Sequence, residues 1–115
     1  MGKRGEMIYE LRSYWAAPGK IEALHKRFRE VTLRVFERHG MAVVGFWTPE
    51  PATAESGDLI YILRFADEEA KKAAWEAFRA DPDWIQGRTE SEKDGVLVVK
   101  LTSILLQATD YSPSV

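Results

Sequence analysis

Apolar and polar residues alternate over residues 6–15. Met7, Tyr9, Leu11, Ser13 and Trp15 fall on one side, and Ile8, Glu10, Arg12 and Tyr14 on the other. A period of two over aromatic and branched residues predicts a strand, which Ala17-Pro18-Gly19 ends. The period then changes. Over residues 20–39, Ile21, Leu24, His25, Phe28, Val31, Thr32, Val35, Phe36 and His39 gather on one side of a wheel stepped at about 100° per residue. Lys26, Arg27, Glu30, Arg34 and Glu37 fall opposite, so the segment predicts an amphipathic helix. Gly40 suits the position after its last residue, and His39 suits the negative end of its dipole.

Residues 41–48 predict a second strand, halted by Pro49 and Pro51, and residues 49–57 a loop. Residues 58–66 predict a third strand, apolar or aromatic along most of its length apart from Arg64. Asp67 is a good N-cap for a second helix with Glu68 and Glu69 in its first turn. Ala70, Ala73, Ala74 and Ala77 form that helix's expected inner stripe, with Phe78 beside it and Trp75 away from it. Asp81-Pro82 opens a short helical segment through Trp84 and Ile85. Asp94-Gly95 is a turn, residues 96–108 predict a long fourth strand, and residues 111–115 a tail. The order is β-α-β-β-α-β: an α+β, ferredoxin-like domain with a four-stranded antiparallel sheet and two helices on one face. Its core runs from about residue 7 to about residue 108.

Two helices cover one face of such a sheet, yet Leu59-Ile60-Tyr61-Ile62-Leu63 and Val96-Leu97-Val98-Val99 are apolar at successive positions. Side chains alternate along a strand, so both faces of the sheet are apolar. The expected remedy is a homodimer packed sheet on sheet, a dimeric α/β barrel, with the long fourth strand reaching the second copy.

Composition narrows the chemistry. The chain has 115 residues, 45% hydrophobic and 30% charged, which fits one folded domain. It contains no cysteine, which excludes disulfides, thiolate nucleophiles and cysteine-ligated metals and fits a cytoplasmic setting. Two histidines fourteen residues apart give no metal-ligand spacing, and no cofactor is implied. A formal charge of -2 without an Arg-rich strand face argues against nucleic acid. No segment reads as a signal peptide or a membrane span.

What remains is carboxylate, guanidinium, phenol and imidazole. Glu10, Arg12 and Tyr14 share one face of a central strand. One reading makes Arg12 the anchor for an anionic or carbonyl group of a small organic acid or aromatic compound, Glu10 a general base and Tyr14 a hydrogen-bond donor. The other makes them a structural network that fixes strand register. His25, Trp47, Tyr61, Phe65 and Trp84 are candidate walls of a small-ligand pocket, against the commoner reading of aromatics and a helix-face histidine as core. A non-enzymatic dimeric scaffold is the competing function. A void beside Arg12 favours the ligand-binding reading, and a solid core the scaffold.

Several short motifs occur in order: Met7-Ile8-Tyr9-Glu10-Leu11-Arg12-Ser13-Tyr14, Pro18-Gly19-Lys20, His39-Gly40, Val44-Gly45-Phe46-Trp47-Thr48 and Asp81-Pro82-Asp83-Trp84. Together they resemble the NIPSNAP family of the dimeric α/β-barrel superfamily. The resemblance implies a ferredoxin-like fold that dimerises through its sheets, and little specific chemistry. Family members often carry a histidine in the third strand, where this chain has Tyr61.

Overall fold

The structure is a computed structural model that describes residues 7–113. Glu6 of the expected first strand, and Ser114 and Val115 of the expected tail, lie outside them. The elements are β1 (Ile8–Ala16), α1 (Ile21–Arg27), a π-helical turn (Phe28–Thr32), α2 (Leu33–Arg38), β2 (Ala42–Trp47), β3 (Leu59–Phe65), α3 (Glu68–Ala80), α4 (Pro82–Ser91) and β4 (Val98–Gln107). The strands form one antiparallel sheet in the order β2-β3-β1-β4. This is the expected α+β, ferredoxin-like arrangement.

The period-two pattern of β1 places Ile8, Glu10, Arg12 and Tyr14 on one face, opposite Phe65, Leu63, Tyr61 and Leu59 of β3. All of these except Arg12 are buried. Leu24, Phe28, Val35 and Phe36 of the long helix, with Trp75 and Phe78 of α3, complete that core. The opposite face of the sheet carries Ile62, Leu11 and Ile104 in one cross-strand row.

The long helix departs from the ideal wheel. Leu24, Phe28, Thr32 and Phe36 are buried at intervals of four residues. On an ideal α-helix each four-residue step overshoots a full turn by about 40°. The wider π turn takes up that drift and keeps the four side chains over the sheet. Thr32 Oγ1 donates across the turn to the carbonyl of Arg27, the last residue of α1, at 3.4 Å. The same realignment buries Arg27, which the wheel placed on the solvent side.

Two other expectations are corrected. Trp75 is buried and Ala73 is exposed, because the α3 indole reaches a buried polar partner on β1. The segment after Asp81 is a ten-residue helix rather than a short stub. Its polar second half, Gln86 to Ser91, offers no hydrophobic period by which to see it.

Asp81 joins the two halves of the helical layer. Its carboxylate caps α4 by accepting from Asp83 N at 2.8 Å. It also accepts from Arg38 Nη1 at 2.8 and 2.9 Å and pairs with His39 Nε2 at 2.8 Å. Burial pushes the Asp81 carboxyl up, but the His39, Arg38 and Asp83 contacts outweigh it and hold it down at about 2. A depressed carboxylate stabilises the fold above its ordinary value of 3.8, and that stabilisation is lost as pH falls towards about 2. Thermal unfolding followed across this window is expected to show an acid-side loss that Asp81→Asn flattens.

Gly87 marks the closest approach of α4 to the π turn. A Cβ there would lie 2.6 Å from Val31 Cγ1 and 2.9 Å from Cγ2. A valine on a helix has little rotamer freedom with which to yield. Gly87→Ala is therefore expected to lower stability in denaturant unfolding by roughly 1–3 kcal/mol, against a propensity gain of about 1 kcal/mol. Adding Val31→Ala in the same chain should recover most of the loss.

Candidate functional site

Glu10 is the charge around which the site is built. It sits on the central strand β1 and is only 1% exposed. Each of its oxygens is occupied. Trp75 Nε1 donates to Oε1 at 2.7 Å, while Ser103 Oγ at 2.6 Å and Arg12 Nη1 at 2.8 Å donate to Oε2. These donors come from α3, β4 and β1, so one carboxylate ties three elements together. Burial pushes the Glu10 carboxyl up, and the bonds from Ser103, Trp75 and Arg12 more than offset it, leaving it lowered.

Arg12 is held on three sides. Its guanidinium carbon lies 4.2 Å from the centre of the Trp75 ring and 5.5 Å from that of Tyr14. Nε donates to Tyr61 Oη at 3.0 Å and to Tyr14 Oη at 3.3 Å, and Nη2 donates to Tyr14 Oη at 3.2 Å. The two phenol oxygens are 2.7 Å apart. Tyr61 faces Arg12 directly across the β1–β3 ladder. Burial raises the Tyr61 phenol well above its usual value, so Tyr61 is a neutral donor and not a phenolate.

The proton count at the tyrosines has a chemical consequence. Both phenol oxygens accept from Arg12, and a single hydrogen bond links them. Two hydroxyls bring two protons, and their mutual bond uses one. One phenol proton is left to donate, beside a cation that cannot lose its charge. Such a set is chemically able to hold and polarise an oxygen that carries, or is gaining, negative charge.

A cleft of about 450 Å³ lies over this set, between the sheet and the helices. Arg12, Tyr14, Tyr61, Trp75 and Trp84 are among its walls. The structure thus brings together the sequence-derived candidates Arg12, Tyr14, Tyr61 and Trp84, with Glu10 behind Arg12. His25 and Trp47 line a separate groove of about 290 Å³ together with Phe46 and Leu59. Phe28, the first residue of the π turn, borders both spaces. Phe65 packs in the core and lines neither. Trp75, Ser103 and Arg27 belong to the site or its cleft and were not singled out from sequence. Among the described residues no group of three histidine, acidic or cysteine side chains could hold a metal ion. No helix among them is long and apolar enough to cross a membrane.

The antiparallel sheet, its order β2-β3-β1-β4 and the one-sided helical layer define a ferredoxin-like α+β protein. The NIPSNAP family profile matches residues 9–113, and the chain belongs to the NIPSNAP family. Among solved structures it is similar to a NIPSNAP family protein of unknown function from Agrobacterium tumefaciens, with 20% identity, a TM-score of 0.78 and 96% of each chain covered. A NIPSNAP-like domain protein from Burkholderia xenovorans shares 16% identity at a TM-score of 0.80, over 96% of this chain and 92% of that one. A further Agrobacterium tumefaciens NIPSNAP family protein shares 18% identity at a TM-score of 0.81, over 97% of this chain and 94% of that one. No curated protein matches the chain.

Trp75→Phe tests whether Glu10 depends on the indole donor. The substitution keeps a ring beneath Arg12 but leaves Oε1 without its partner. Stability at neutral pH is expected to fall by roughly 1–3 kcal/mol. The Glu10 carboxyl should rise, read by carbon-detected NMR titration. Because a lowered carboxylate stabilises the fold above its unfolded value, the variant's stability should also respond less to acid in that range.

Proposed function

We propose that the protein is a small-molecule-binding homodimer whose cleft takes a small organic acid or an aromatic compound bearing a carboxylate or carbonyl oxygen. One observation carries this reading: Arg12, Tyr14 and Tyr61 converge on an open space with one phenol proton uncommitted. A solid core at this position would have supported the scaffold reading, and the void beside Arg12 supports a ligand. Arg12 is the anchor and Tyr14 the adjoining donor. Glu10 suits an orienting role better than that of a general base, since its oxygens are occupied and its carboxyl is held low. The arrangement therefore favours binding and polarisation over proton abstraction. Any catalysis would be cofactor-independent and would draw its base from the ligand or from water.

The homodimer reading is supported by the sheet's second face. Ile62, Leu11 and Ile104 form an apolar row across three strands, with Ile60 and Leu106 in the neighbouring rows. Ile104 is 52% exposed. A second copy laid on this face by a two-fold axis would cover these side chains without a new surface on the partner. A chain without cysteine is compatible with the reducing cytoplasm.

Arg12→Met keeps an unbranched apolar stem and removes the guanidinium that lies over Trp75. Calorimetric titration with benzoate and other small carboxylates is expected to show binding to the parent protein and at least about a tenfold loss in the variant. Equal affinity in both proteins would sink the anchoring role. The paired substitution of Ile62→Lys and Ile104→Lys should convert a dimer into a folded monomer in sedimentation at micromolar concentration. A parent protein that already sediments as a monomer would remove the dimer from the proposal.

A further inference from the structure

The far end of the cleft carries a second cation that the Arg12 site does not use. Arg27 is 7% exposed and lines the same space. Its Nη1 donates to Glu92 Oε2 at 3.1 Å and to Ser91 Oγ at 3.3 Å. Its Nε is buried and meets no acceptor among the described residues. A buried N–H without an acceptor is costly, and a ligand oxygen reaching this end would relieve it.

The ground between the two cations is aromatic. Arg12 lies over Trp75, whose ring centre is 5.2 Å from that of Phe78. Phe78 is 4.6 Å from Trp84, and Arg27 lies over Trp84 with its guanidinium carbon 5.0 Å from the ring centre. A row of three rings thus runs between two guanidiniums, each stacked on the ring at its own end. Arg79 and Arg88 also line the cleft, where Glu92 is the one carboxylate among the described lining residues. Glu10 takes only Nη1 of Arg12, while Nε and Nη2 lie against the two phenols.

We infer that the ligand is an organic dianion: an extended or flat apolar body with an acidic group at each end. One group sits at Arg12 and its tyrosines, the body lies along Trp75, Phe78 and Trp84, and the second group takes the donors of Arg27. This rests on the reading that the Arg12 end binds an organic acid, and it adds the requirement for a second charge. The π turn is what makes the site bipolar, because it brings Arg27 onto the cleft side of its helix.

Calorimetric titration of the full chain tests it. The probes are terephthalate against benzoate, and the α,ω-dicarboxylates from succinate to sebacate, each against the monocarboxylate of the same length. At one or more lengths the diacid is expected to bind at least about tenfold more tightly than its monoacid. Arg27→Met should bring that diacid down to the affinity of the monoacid and leave the monoacid unchanged. If Arg27→Met does not fold, Arg27→Lys, which keeps the charge but loses the planar fork, should remove most of the advantage while near-ultraviolet circular dichroism stays native. Monoacids that bind as well as every diacid, or an equal loss of both in the Arg27 variants, would overturn the bipolar site and leave the Arg12 reading standing. Failure of all the acids to bind would overturn both.

Discussion

A carboxylate with almost no contact with water is the constraint on which the rest of this molecule depends. Glu10 stays charged in the interior only because a guanidinium, an indole and a hydroxyl surround it, and each arrives on a different stretch of chain. Removing a partner from such a charge leaves it uncompensated, which is far more damaging than loss of an exposed ion pair. The demand therefore propagates outward. It fixes the register of β4 against β1, since Ser103 must lie across from Arg12. It fixes the rotation of α3, since Trp75 must turn inward. It also holds Arg12 flat between an indole and two phenols. The network that resists unfolding is also the one that sets Arg12 and its two tyrosines at the cleft.

The long helix meets a second constraint of a geometric kind. Its buried residues recur every four positions, a spacing that a regular α-helix cannot keep on one face for long. The chain answers with a single wide turn, and that turn sits where the helix borders the cleft. Such turns are often found where a protein needs side chains in unusual directions. Here the direction gained is that of Arg27. Gly87 of α4 lies against Val31 in the same turn, so the space the turn occupies is matched by a missing side chain opposite.

Much of this was legible in the sequence, and the exceptions share a cause. Strand alternation placed Glu10, Arg12 and Tyr14 together, because that face depends on residue parity alone. The same alternation exposed the apolar second face. Tyr61 could be named as a candidate wall, but its place opposite Arg12 depends on strand register, which no local pattern encodes. Ser103 had no signal for the same reason. Trp75 was misplaced because four alanines outlined a stripe, whereas one large indole with a buried acceptor decides the helix's orientation. Arg27 was misplaced by assuming an unbroken α-helical period. The interval of four through Leu24, Phe28, Thr32 and Phe36 was the available clue. The second half of α4 was missed because its polar residues carry no period at all.

The arginines of the cleft have one more consequence, which concerns speed. The chain as a whole is slightly acidic, with 16 basic and 18 acidic residues. Four of its arginines face one cleft, so the surface elsewhere is more negative than the net charge suggests. Against a slightly acidic chain, this cleft gathers positive charge locally, and the field there favours the approach of an anion. A field of this shape narrows the productive angles of encounter while hastening arrival along them, and dissolved salt weakens it. For the proposed anion, the rate of capture at the cleft would therefore fall as ionic strength rises.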